Sequence, residues 1–273
     1  MIWRPASFLF VPVTAVLLAA TSPHRLSAQG PVAPAPSPAP APSQLGVGLW
    51  SRPIYVGSSD RVLSVVPLLR YYRGPWFART TMGVLEGGAR KVFGNGLNAG
   101  AQVAWEIGRD RDASELLTSR GLVTRPPSAS VGVHLGLDAT LGPAPVNAIV
   151  RYRQDVRSAH GAQADARVGV GLYGGDHLRL GIFAQATWAN STSNQAYYGI
   201  DATEAAATGL PAFAGTAGLT HTAAGVLWSY DLGEKWVLQG NVESRRTAAS
   251  VRASPLAEVR ANTFASAGLA FRF

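Results

Sequence analysis

From Leu97 to Ile107, Leu97, Ala99, Ala101, Val103, Trp105 and Ile107 alternate with Asn98, Gly100, Gln102, Ala104 and Glu106. Successive side chains of a strand point to opposite faces, so this run folds as a strand with one apolar and one mixed face. The split recurs over 131–141, 164–172 and 178–188, where only Phe183 breaks it. Such runs exceed the roughly 5 to 6 residues usual for globular strands and match the ~9 to 11 that cross a bilayer as tilted strands.

A soluble sandwich would alternate too, so the direction of the apolar face rests on three further features. Charged residues make up 15% of the chain, against about 25% in soluble domains. On the mixed face glycine is interleaved with Glu106, Asp138, Asp165, Arg167, Arg179 and Glu243, and lysine occurs only at Lys91 and Lys235. That composition suits a wet or ion-paired lumen better than a solvated surface. Aromatic residues gather at strand ends, at Trp50, Trp76, Phe77, Trp105, Trp188, Trp228, Tyr230 and Trp236, where a lipid-embedded barrel places its two girdles. The last strand sets Thr263, Ala265, Ala267, Leu269, Phe271 and Phe273 on one face and ends on an aromatic. Phe271 and Phe273 thereby resemble the signal that outer-membrane proteins present to the barrel-assembly machinery.

The N-terminus carries a different pattern. Arg4 precedes an apolar run from Phe8 to Ala20, interrupted by Pro12, too short for the roughly 20 residues of a membrane helix. Residues 1–28 are expected to be a signal peptide, with cleavage after Ala28 favoured over a site at Ala20 to Ser22. Residues 29–44, rich in Pro and Ala, favour extended polyproline II and are expected to form a periplasmic tether. The barrel is expected over 45–273. With Arg4 and Arg25 removed, 22 basic and 16 acidic residues leave a net +6, spread along the chain without the clustering of a nucleic-acid binder.

Strands are expected near 45–53, 61–72, 76–91, 97–108, 129–141, 145–155, 162–173, 177–189, 219–230, 235–247 and 261–273. Single-chain bacterial barrels have even strand numbers, so this closed antiparallel transmembrane β-barrel is expected to have twelve strands, with ten as the alternative. The twelfth comes from a break of 76–91 at Gly87 and Gly88 or from an added strand at Ala196 to Ile200. With Phe273 at the periplasmic end, the short turns near 94, 142, 174 and 232 fall inside, and the long segments 109–127 and 190–218 fall outside. One short helix is expected in the second of these, at Asp201 to Ala207: Asp201 caps it and Glu204 completes a capping box.

No chemistry of catalysis or metal binding stands out. The chain has no cysteine, and His134, His160, His177 and His221 lie apart without ligand spacing. His134 and Asp138 share a strand face but sit roughly 13 Å apart at strand rise, too far to pair. A hydrated lumen histidine is the simpler reading. No catalytic residue, cofactor or metal is expected.

Several phrases resemble one family. Gln195-Ala196-Tyr197-Tyr198-Gly199-Ile200, followed by Thr208-Gly209-Leu210 and Phe213, is similar to the most distinctive segment of the MipA/OmpV outer-membrane proteins. Leu45-Gly46-Val47-Gly48, Tyr55 to Asp60 and Val66-Pro67 resemble that family's opening, and Tyr230-Asp231-Leu232, Ser254-Pro255-Leu256 and Gly268-Leu269 its closing third. The order covers 45–273, with departures at Ala270-Phe271 and Arg245-Arg246. The resemblance implies an integral barrel in contact with outer-membrane lipid and lipopolysaccharide. It further implies a scaffold bridging a lytic transglycosylase and a penicillin-binding murein synthase in envelope maintenance, or a surface adhesin. The rival reading is a small-solute channel preferring anions, drawn from lumen residues Arg151, Arg153, Arg167, Arg179 and Arg245. Glu106, Asp138, Asp165 and Glu243 could equally neutralise them in a plugged lumen.

Overall fold

The computed structural model describes residues 42–81 and 83–273; the expected signal peptide and nearly all of the tether lie outside these residues. Twelve strands follow one another: β1 (Gln44–Pro53), β2 (Arg61–Arg73), β3 (Trp76–Thr81), β4 (Val84–Val92), β5 (Leu97–Glu106), β6 (Ser128–Leu141), β7 (Ala144–Asp155), β8 (Ala162–Gly174), β9 (Leu178–Ala189), β10 (Gly218–Asp231), β11 (Trp236–Thr247) and β12 (Ala261–Arg272). Each pairs antiparallel with its neighbours, and β1 closes the barrel on β12 through a seam running from Gln44↔Arg272 to Ser51↔Ala265. Closure leaves every strand with two neighbours, the arrangement by which a sheet sits in lipid, although β2 pairs with the short β3 only from Arg70↔Arg79 to Arg73↔Trp76.

The alternation sets the faces. On β5, Val103 and Trp105 are 53% and 52% exposed, whereas Gln102 and Ala104 are 3% and 2% exposed. Thus the apolar face turns outward to lipid and the mixed face fills the lumen. Trp76, Tyr230, Trp236 and Phe273 lie outward at one end, with Trp105, Tyr152 and Trp188 outward near the other, as two interfacial belts. Two of the expected girdle aromatics instead point inward. Trp50 and Phe77 are buried, because their positions share the parity of the lumen-facing residues of β1 and β3.

Twelve strands arise from a break in the segment 76–91, but between Thr81 and Val84 and not at Gly87 and Gly88, which lie inside β4. A Cβ on Gly88 would sit 2.0 Å from the Ala101 carbonyl oxygen, so that glycine allows close strand contact and does not mark a turn. Residues 196–200 add no strand; they end a helix, and Ile200 makes only an isolated bridge to Phe213. β1 starts at Gln44, one residue before the expected boundary.

Both ends of the described chain lie at the short-turn end, which is the periplasmic side in such barrels. The opposite loops carry four short helices where the sequence suggested one: α1 (Glu115–Ser119), α2 (Ser191–Tyr198), α3 (Ala202–Thr208) and α4 (Ala249–Arg252). Only α3 was foreseen, and its capping box between Asp201 and Glu204 is formed in both directions. Among the described residues no helix is long and apolar enough to cross a membrane.

Candidate functional site

Four of the outer loops meet over the mouth of the barrel. Ile54 and Tyr55 from the β1–β2 loop, Leu117 and Leu122 from β5–β6, Tyr198 and Ile200 from β9–β10, and Val251 and Leu256 from β11–β12 bury one another in a single cluster. Leu117, Val251 and Leu256 are 0% exposed, so this is a packed apolar core outside the membrane, and burial of each large side chain is worth roughly 1.5 to 3 kcal/mol.

The Tyr197-Tyr198-Gly199 segment is the centre of this lid. The Tyr198 hydroxyl donates to the Val56 carbonyl at 3.0 Å, and its own carbonyl accepts from Ser254 Oγ at 2.6 Å. The Tyr197 carbonyl accepts from Arg109 Nη1 at 2.5 Å and that of Ala196 from Arg125 Nε at 2.8 Å. Gly199 caps α2, where a Cβ would meet the Gln195 side chain at 2.2 Å. Gly209 caps α3 at φ 71°, the left-handed region that suits glycine, and Leu210 packs against the cluster. The start of β8 is tied to α2 through Asn190, whose Oδ1 accepts from Ala162 N at 3.1 Å and Ser193 N at 2.8 Å. Burial pushes the phenols of Tyr55 and Tyr198 above their usual range and that of Tyr197 up to about 12, so all three are neutral at neutral pH.

Beneath the lid a network of ion pairs crosses the lumen. Glu86 on β4 accepts from Arg79 at 2.5 Å, Thr81 at 3.0 Å and Gln102 at 3.1 Å. Arg151 Nη1 stands 3.4 Å from Glu86, and its Nη2 donates to Asp165 at 2.7 Å across the β7–β8 register. Arg153 bridges Glu106 at 3.1 Å and Asp165 at 3.4 Å. Arg245 pairs with Glu243 at 2.6 Å while lying 3.9 Å over the Phe264 ring. Buried charges persist only when paired and hydrogen-bonded, and these fill the middle of the lumen in that way.

The remaining expected lumen charges stand elsewhere. Arg167 lies 3.9 Å over the Phe183 ring with no carboxylate in ion-pair range among the described residues. Arg179 and Arg272 flank Asp231 near the periplasmic mouth, Arg179 at 2.6 Å, and Asp138 receives Asn98 Nδ2 at 3.5 Å. Phe271 packs edge-on against Trp236 at 5.2 Å, and the Phe273 amide donates to the Ser43 carbonyl at 3.0 Å. Sequence reasoning missed Glu86 and Arg79. The signal was available, since Glu86 is the acidic residue on the inward parity of β4, beside two glycines, but 76–91 taken as one strand obscured that parity.

Two of the histidines are buried. His134 is buried with its ring edge-on to Phe77 at 5.4 Å. His160 Nδ1 lies 3.3 Å from Asp155 and 3.2 Å from Ser128 Oγ, and Ser128 donates to Asp155. A nucleophilic triad uses opposite ring nitrogens for the serine and the acid. Here both approach Nδ1, so the cluster ties the β7–β8 loop to β6. Among the described residues no group of His, Asp and Glu could hold a metal ion.

A family model described as MltA-interacting protein MipA matches residues 45–273. No curated protein matches the chain. Among solved structures it is similar to an outer membrane channel from Pseudomonas putida F1, at 13% identity and TM-score 0.49, covering 89% of this chain and 100% of that one. It is also similar to LpxR from Salmonella typhimurium, at 10% identity and TM-score 0.44, covering 85% and 100%. The NanC porin follows, at 9% identity and TM-score 0.38, covering 84% and 100%. At such identities no residue role passes between the chains.

Proposed function

The chain belongs to the MltA-interacting protein MipA family, and from that premise we propose that this outer-membrane barrel is a scaffold for murein-processing enzymes in cell-envelope maintenance. Its partners are a lytic transglycosylase and a penicillin-binding murein synthase, held through the periplasmic turns and the Pro/Ala tether that precedes β1. The observation that carries the reading is the lid. Four outer loops spend their apolar side chains on one another over the mouth, and the lumen arginines Arg151, Arg153 and Arg245 are bound to carboxylates. Such a barrel suits anchoring better than conduction. Signal-directed export and an assembly role for Phe271 and Phe273 belong to the same reading.

Affinity pull-down from an envelope extract tests it. The purified barrel should retain a transglycosylase or a murein synthase, and removal of residues 29–42 should weaken that retention. Recovery of neither enzyme by a correctly folded barrel would overturn the scaffold. The channel reading has one observation in its favour, the cationic excess left by Arg167, and steady anion-selective conductance would support it.

A further inference from the structure

We propose that the chamber between the lid and the lumen ion pairs binds a small organic anion carrying a flat ring. The cavity measures about 190 Å³, below the roughly 300 Å³ at which drug-sized ligands begin to fit. Its roof includes Tyr197 and Tyr198, and its walls include Trp50, Phe264, Gln185 and His221.

Three features define what it takes. The first is charge: Arg52, Arg151, Arg153 and Arg245 line the chamber with Glu106, and Asp165 and Glu243 are bound to three of those arginines. Glu86 is shared between Arg151 and Arg79, which lies outside the chamber, so four carboxylates meet five guanidiniums. Arg52 is the surplus, because its Nη1 donates only to the carbonyls of Pro53 at 3.1 Å and Ile54 at 2.9 Å.

The second feature is unused hydrogen-bonding capacity. Arg52 Nε, Arg153 Nε, Gln185 Oε1 and His221 Nδ1 are buried without a protein partner, although buried polar atoms are nearly always satisfied. Three of these four belong to cationic or imidazole side chains around one cavity. The third is shape: Trp50 and Phe264 set two rings 6.1 Å apart, with the Arg52 guanidinium 5.3 Å over the Trp50 ring. A flat body against that wall, with one negative group at Arg52, uses all three.

The test takes the folded full barrel in detergent and titrates benzoate, benzamide and acetate by calorimetry and by tryptophan emission. Benzoate has both ring and charge, benzamide lacks the charge, and acetate lacks the ring. Benzoate should bind saturably and at least about ten-fold tighter than either, the difference from benzamide being that of a charge-assisted contact and the difference from acetate that of a buried ring. Trp50→Phe should remove the emission change, and Arg52→Gln should bring benzoate to the affinity of benzamide. Absence of saturable benzoate binding, or equal affinity for benzoate and benzamide, would overturn the proposal. The comparison of the three ligands on the unaltered protein decides it even if a variant fails to fold.

Discussion

The two ends of this barrel solve different problems with the same chain. At the periplasmic end the strands are joined by turns such as Gly74-Pro75 and Gly142-Pro143, and Gly74, Gly142 and Gly233 have positive φ with nothing within 4 Å of an added Cβ. At the outer end Gly83 also has positive φ, but a Cβ there would lie 2.3 Å from the Trp50 ring. Glycine therefore only reverses the chain at Gly74, Gly142 and Gly233, whereas at Gly83 it reverses the chain under a packed side chain. The difference teaches that strand connection needs little sequence, whereas covering the mouth requires apolar residues and hydrogen bonds from several loops at once.

Damage at the two ends should accordingly fail in different ways. The largest effect is expected at the periplasmic end: Phe273→Asp should leave an exported chain that yields little heat-modifiable barrel on an unboiled gel, and full recovery of the folded band would refute the assembly role. At the outer end, Leu256→Asp places an unpaired charge in the lid cluster and should cost at least about 3 kcal/mol of lid stability. The barrel band should persist while a protease gains access to residues 190–217; equal resistance to the wild type would show that the loops do not depend on one another.

The paired glycines give a smaller contrast. Gly142→Ala should cost about 1 kcal/mol of backbone strain, whereas Gly83→Ala must also displace Trp50 and should cost about 2 to 4 kcal/mol. The temperature at which each loses heat-modifiable mobility measures this, and equal shifts would remove the distinction between the ends. Asp201→Ala, which deletes the α3 cap, should cost about 1 kcal/mol and appear as faster amide exchange confined to 202–208.

The smallest effect is one of pH. Burial holds the Tyr197 phenol up to about 12, above the roughly 10 of the free side chain, so the folded lid binds this proton more tightly than the opened one. Its contribution is complete below about pH 10 and is lost as pH rises through the folded value. Proteolysis of the outer loops should therefore accelerate above about pH 10 while the barrel band stays intact, and Tyr197→Phe should reduce that rise, leaving the part that the Tyr55 and Tyr198 phenols contribute.

How much of this was legible follows from what each region uses. The strands carry their own signal, because one face must be apolar and the other must not; β5, β6, β8 and β9 could be placed nearly to the residue. Phe183 broke the pattern because it lines the lumen as a seat for Arg167, and Trp50 was misassigned because strand-end position was weighed above parity. The lid was not legible. Leu117, Ile200, Val251 and Leu256 are apolar residues spread over three loops, and only the closed barrel brings them together. Helices α1, α2 and α4 are too short to show apolar periodicity, whereas α3 announced itself through Asp201 and Glu204. The family phrase at 195–200 marked the right segment, but its packing role depends on Val56, Arg109 and Ser254, which lie far away in sequence.

Single-barrel conductance across a planar bilayer measures most directly whether the lid shuts the mouth. The wild-type barrel is expected to stay silent in moderate salt, and Leu256→Asp to produce flickering openings as the lid loosens. A steady, long-lived conductance from the wild-type barrel, unchanged by Leu256→Asp, would contradict the closed lid and with it the scaffold reading.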